Sequence, residues 1–199
     1  MNRTLDVTSS VAATFLRFGA GYKVGALGAR PEKPLELYEF EACPYCRKVR
    51  EALSILDLEA IIYPCPKGGP RFRERAKDLG GKALFPFLVD PNTETSMYQS
   101  NDIVQYLSKQ YGDGRVPFAL SLGPLTTTTA MFSSFARLGR GGRYRAARAP
   151  DKPLELYSFE ASPFCRIVRE VLCELELPYL LHNVGKGSPR RYWTGVRSR

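Results

Sequence analysis

Cys43-Pro44-Tyr45-Cys46 sets two thiols three residues apart, just after an alternating apolar run and at the head of a segment with helical spacing. A sulfur at a helix start meets unpaired backbone N–H groups and the positive end of the helix dipole, and both favour the thiolate. Arg47 and Lys48 add positive charge in the first turn. In such a pair Cys43 attacks a disulfide, and Cys46, one turn on, resolves the mixed disulfide that forms. Half of a zinc site and an inert buried pair are the alternatives. Zinc ordinarily takes four ligands. The chain has no second Cys-x-x-Cys and His182 is its only histidine, so the redox reading is preferred and no metal is expected.

The same stretch occurs twice. "EACPYCRKVR" (41–50) returns as "EASPFCRIVR" (160–169), with Ser162 where the first copy has Cys43 and Cys165 where it has Cys46. Serine has no thiolate chemistry near neutral pH, so the second copy loses dithiol exchange. The similarity is wider than the motif. Lys33 falls on Lys152, an offset of 119 residues, and the match runs without a gap to Leu58 and Leu177. It resumes at "KGGPR" (67–71) against "KGSPR" (186–190), and upstream "TSSVAATFLRFGAG" (8–21) echoes "TTTAMFSSFARLGRG" (127–141) with a one-residue slip. Residues 1–31 are acid-poor, as a transit peptide is. A removable peptide has no reason to reappear inside the chain, so 8–20 is read as a lead-in helix and 126–137 as its counterpart.

Three more residues bear on the chemistry. Pro86 stands in an apolar strand, where proline removes a ladder hydrogen bond and belongs at an edge or at a cis peptide. A cis Phe85–Pro86 bond beside the Cys43 helix would present the Phe85 backbone to an extended thiol peptide; a plain edge proline is the alternative. Gln99 and Ser100, at the start of a helix, offer amide, hydroxyl and N–H donors to a carboxylate, or else simply cap the helix.

These residues need a scaffold. Alternation and aromatics predict strands at 35–40 and 59–65, with a helix over 44–57 between them, and that order implies parallel pairing. A charged helix over 71–79 is stopped by Gly80 and Gly81. Residues 85–90 and 95–99 form a hairpin, and Ser100 caps a helix over 101–111. The predicted fold is α/β, in the order β-α-β-α-β-β-α. The boundaries are a lead-in segment over 1–31, a complete domain over 32–115, a linker over 116–150 and an incomplete second repeat over 151–199. Beyond Arg190 the second repeat has no counterpart of Pro86, the hairpin or the last helix, and it is expected to leave an apolar sheet edge uncovered. Residues 151–199 are therefore expected not to form a closed domain. Protease should then cut first between 137 and 150 and beyond 185.

The element order, the "CPYC" motif, the X-Pro strand start and the "QS" helix start resemble the thioredoxin-fold domain of glutaredoxins and of glutathione transferase N-terminal regions. Over nearly its whole length the chain resembles plant and algal plastid proteins with tandem domains of this type. The resemblance implies a thioredoxin-like fold, glutathione as cosubstrate, and a glutathione-linked thiol–disulfide oxidoreductase in the chloroplast. Its partners would be glutathionylated or disulfide-bearing proteins. Cys43 would be the nucleophile and Cys46 the resolving thiol, with Tyr45, Phe85, Pro86, Gln99 and Ser100 lining the glutathione site. No stretch over 112–150 is long enough for the helical second domain of transferases, so conjugation is not expected. A non-catalytic thioredoxin-fold binding or assembly module in the plastid is the alternative, favoured by Ser162, and an iron–sulfur carrier using Cys43 is a third reading.

The bulk properties agree with a folded protein in a reducing compartment. Among 199 residues, 44% are hydrophobic and 25% charged, and the five cysteines are too sparse and odd in number for a secreted disulfide framework. The net charge of +9 is concentrated in 137–148 and 189–199. A basic linker and tail can meet nucleic acid or an anionic membrane surface. With no aromatic-studded basic face they are read as solvated segments, with no nucleic-acid partner. The longest uncharged stretch, 116–136, carries two prolines, a glycine and four threonines, and is a poor membrane span.

Overall fold

A computed structural model describes residues 3–25 and 27–192; residues 193–199, most of the basic tail read above as solvated, lie outside the described residues. After a lead-in helix α1 (Arg3–Phe15) come β1 (Leu35–Glu39), α2 (Pro44–Ile55), β2 (Ala60–Pro64), α3 (Arg73–Gly80), β3 (Phe87–Asp90), β4 (Thr95–Tyr98) and α4 (Ser100–Tyr111). A short α5 (Phe118–Ser121) and α6 (Pro124–Phe135) lead to β5 (Leu154–Ser158), α7 (Pro163–Glu174), β6 (Tyr179–Asn183) and a 3-10 turn at Pro189–Tyr192. The fold is thioredoxin-like α/β, with the predicted β-α-β-α-β-β-α order in residues 35–111. The lead-in helices begin and end earlier than the repeat comparison suggested, and each is followed by a non-helical turn.

β1 pairs parallel with β2 and antiparallel with β3, which pairs with β4. Period-two alternation divides β1 between two cores. Leu35 and Leu37 face α2 and α4, whose Val49, Leu53, Ile103 and Leu107 complete one buried cluster, while Tyr38 faces Phe87 and Ala76 beneath α3.

The second unit does not stand apart. β6 pairs antiparallel with β2, Ala60 opposite Leu181, so all the strands form one sheet in the order β4-β3-β1-β2-β6-β5. Tyr179 and Leu181 belong to the same core as Leu35, Leu58 and Ile62. Residues 154–183 thus share one sheet and one core with the first unit, joined through the edge of β2. β5 is the outermost strand, and the edge it leaves open corresponds to the edge of β1 that β3 covers in the first unit. The 137–150 linker is also tied down, with Lys67 N–H donating to Gly142 O (2.7 Å) and Arg145 N–H to Glu174 O (2.7 Å).

α1 and α6 form an outer layer and cross over. α1 packs on α7 of the second unit, and α6 on α2 of the first. Ser10 Oγ donates to Pro163 O (2.7 Å) and Ser133 Oγ to Ala13 O (2.6 Å). The chain leaves each helix through a glycine that must sit against the other unit. At Gly21 (φ +81°) a Cβ would lie 2.9 Å from Glu160 Cβ, and at Gly141 (φ +72°) 2.5 Å from Glu41 Cβ. Neither position admits a side chain.

Candidate functional site

Cys43 is the N-cap of α2, in extended backbone (φ −77°, ψ 122°), and Pro44 opens the helix, where its missing N–H costs nothing. Cys46 N–H donates to Cys43 Sγ at 3.3 Å. Cys43 is 4% exposed and Cys46 fully buried. The Cys43 thiol is held down to about 7, first by the hydrogen bond from the Cys46 thiol, which outweighs burial, then by the N–H groups of Cys46 and Tyr45 and the charge of Arg50. Burial, followed by the hydrogen bond and charge of Cys43, pushes Cys46 well above the ordinary thiol value. One thiol is thus readied as a thiolate and its neighbour kept protonated to stabilise it.

The cation acting on Cys43 is Arg50, not Arg47 or Lys48. Arg47 turns to Glu51 (3.4 Å) and Glu160 (3.8 Å), and Lys48 bonds the side chain of Asn101. Arg50 is buried at the centre of a charge cluster: it bonds Glu39, donates through Nε to Glu160 Oε2 (3.1 Å) and through Nη2 to Glu41 O (3.2 Å). Its counterpart Arg169 donates through Nε to Glu41 Oε2 (3.2 Å) and lies 2.8 Å from Glu160 Oε2. Each unit's arginine therefore holds the other unit's glutamate. Burial lifts the Glu39 carboxyl to about 7 against the pull of Arg50. Sequence reasoning did not find this cluster, although Glu41/Glu160 and Arg50/Arg169 are retained in both copies, and a charge repeated beside a motif was the available signal.

Tyr45, Leu84, Phe85, Pro86, Gln99 and Ser100 wall a cleft of about 110 Å³. It therefore gathers all five residues that the resemblance assigned to glutathione, from the α2 head, the β3 entry and the α4 head. The Phe85–Pro86 bond is cis and β3 begins just after it. Arg73 stacks over the Phe85 ring at 5.0 Å, and Phe40 meets that ring edge-on. The α4 start differs from the reading above. Gln99 is the N-cap, with φ 68°, and makes no side-chain capping bond, while Ser100 is already helical. The first N–H groups of α4 thus have no side-chain cap, and they open next to the cleft. Cys43 is not part of the cleft wall; Tyr45, two residues on, is.

In the second unit the same cap persists without sulfur. Ser162 is the N-cap of α7, and its Oγ accepts the Cys165 N–H at 3.2 Å. Serine is among the best N-caps, so Ser162 keeps the helix start without a thiol. Among the described residues no Cys, His, Asp and Glu are grouped to hold a metal ion.

A thioredoxin-like fold with a thiol at a helix cap and a cis-proline cleft defines a class shared by many thiol-handling proteins. The family model for the glutathione S-transferase N-terminal domain matches residues 37–115 and 156–195, more than half of the chain, and the protein belongs to that family. No curated protein and no solved structure matches it. No described helix is long and apolar enough to cross a membrane.

Proposed function

We propose that the protein is a glutathione-linked thiol–disulfide oxidoreductase acting through Cys43. The observation that carries this reading is the capping thiol, with Cys46 N–H on Cys43 Sγ, set beside a cleft built from Tyr45, Phe85, Pro86, Gln99 and Ser100. The Cys43 thiolate attacks the glutathione sulfur of a glutathionylated protein. The new Cys43–glutathione disulfide forms as the old S–S bond breaks, and the protein leaves as its thiolate. A second glutathione thiolate then attacks the glutathione sulfur, giving oxidised glutathione and restoring the Cys43 thiolate. In the dithiol branch Cys46 loses its proton to the departing glutathione thiolate and closes on Cys43.

The cleft would hold the glutathione backbone along Phe85 and its carboxylate at the uncapped start of α4. The second unit, with Ser162 in place of the nucleophile, serves as scaffold. The plastid is the proposed compartment, on the family resemblance. The test is reduction of a glutathionylated peptide by glutathione, with Cys43→Ser and Cys46→Ser in parallel. Turnover lost in Cys43→Ser and retained in part in Cys46→Ser is the expected result. Turnover in Cys43→Ser equal to that of the parent chain would exclude the mechanism.

A further inference from the structure

The outer faces of α1 and α6 are apolar, although among the described residues nothing covers them. Phe15 is 74% exposed and Phe135 77%, and beyond each helix end stand Phe18 and Leu138, exposed by 87% and 80%. The helices run antiparallel, since Asp6 meets Arg137 while Arg17 meets Thr126. They lie on α2 and α7, so their exposed faces point away from the sheet as one ridge with Phe18 and Leu138 at its two ends.

Phe18 (φ 51°) and Leu138 (φ 53°) are in the left-handed conformation that ends a helix. Glycine is the ordinary occupant there, and a bulky side chain is disfavoured. Both units nevertheless place a large apolar residue at this position, and neither side chain packs inside the protein. Scattered exposed apolar residues need no explanation; paired, strained ones at matching positions do.

Cations follow both tips in the chain, Lys23 after Phe18 and Arg143 after Leu138. Lys23 bridges Lys186 through the backbone, and Arg143 bridges Lys67 in the equivalent place. All are exposed, and among the described residues no carboxylate pairs with these four. Acidic charge is nearly absent from the segments that build the ridge. Residues 114–150 have none, and residues 3–31 have only Asp6, which Arg137 (2.6 Å) and Arg140 (2.7 Å) neutralise. An apolar ridge followed at both ends by cations that no described carboxylate neutralises is complementary to a bilayer interface carrying negative headgroups. Helices of 13 and 12 residues lie on such a surface rather than span it.

We infer that the α1/α6 ridge docks on an anionic lipid surface, with Phe18 and Leu138 entering the interface and Lys23, Lys67, Arg143 and Lys186 meeting the headgroups. Co-sedimentation of the full chain with phosphatidylcholine vesicles, with and without phosphatidylglycerol, tests this. Retention on the anionic vesicles, weakening as salt rises, is expected. The double variant F18G/L138G should fold at least as well as the parent, because glycine suits both φ values, yet bind more weakly by on the order of tenfold or more. K23E/R143E should lose about tenfold while keeping the parent's melting temperature and Cys43 alkylation rate. Absence of retention on anionic vesicles, or equal retention of both well-folded variants, overturns the inference. So does a lipid-free dimer in sedimentation equilibrium that F18G/L138G converts to monomer, which would make a second copy the occupant.

Discussion

Arg50 of α2 donates its Nε to Glu160 of the second unit at 3.1 Å, and the same guanidinium is the cation that favours the Cys43 thiolate. The second unit, which carries Ser162 in place of the capping thiol, thus anchors a side chain whose charge favours the first unit's thiolate.

Cys43 should react with iodoacetamide faster than the other thiols, with a rate that rises as pH passes about 7. Cys43→Ser should remove that phase. Glu39→Gln removes a buried carboxylate whose charge opposes that of the Cys43 thiolate and should shift the midpoint downward. A fast phase that survives Cys43→Ser and disappears in Cys65→Ser would reassign the reactive thiol.

Glu160→Ala leaves Arg50 and Arg169 buried with Glu41 as their remaining shared carboxylate. Removing one member of a buried pair costs about 3–5 kcal/mol, so the urea midpoint should fall accordingly. In whatever population remains folded, the Cys43 alkylation midpoint should move, because Arg50 loses one of the three carboxylates that hold it. An unchanged urea midpoint would show that the cluster relaxes freely.

Leu181 is 3% exposed and completes a core built mainly by the first unit. Leu181→Ala should cost about 2–5 kcal/mol and lower a single unfolding transition reported equally by both units. Limited proteolysis of the parent chain should leave 32–183 together rather than release a fragment ending near 115. Two separated transitions, or early cutting within β6, would show that the units fold independently.

Acid and neutral pH should act in opposite directions on the cluster. Glu160 is held down to about 2 by Arg169, Arg50, Arg47 and Arg166 despite its burial, so its stabilisation is present above the unfolded carboxylate value and disappears as pH falls through about 2. Glu39 is raised to about 7, so its contribution is full below the unfolded value and is lost as pH rises through about 7. Urea unfolding followed from pH 8 down to pH 5 should therefore show stability rising, and Glu39→Gln should flatten that rise.

Much of the candidate site was legible in the chain itself, because its causes are local. A proline after Cys43, helical spacing of Val49 and Leu53, and alternation through Leu35 and Leu37 act within a few residues, so the cap and the strand–helix–strand order followed from them. The copy with Ser162 likewise announced a retained cap without a thiolate. What the tertiary structure decided was everything that depends on residues far apart in sequence. Arg50 meets Glu160 across 110 positions, and no periodicity marks which of Arg47, Lys48 and Arg50 turns toward Cys43. The joining of β2 to β6 was equally hidden, since backbone pairing across two edges has no side-chain signature. The crossing of α1 onto α7 and α6 onto α2 depends on small residues such as Ser10, Ala13, Ala130 and Ser133, whose burial becomes meaningful only once the helices touch.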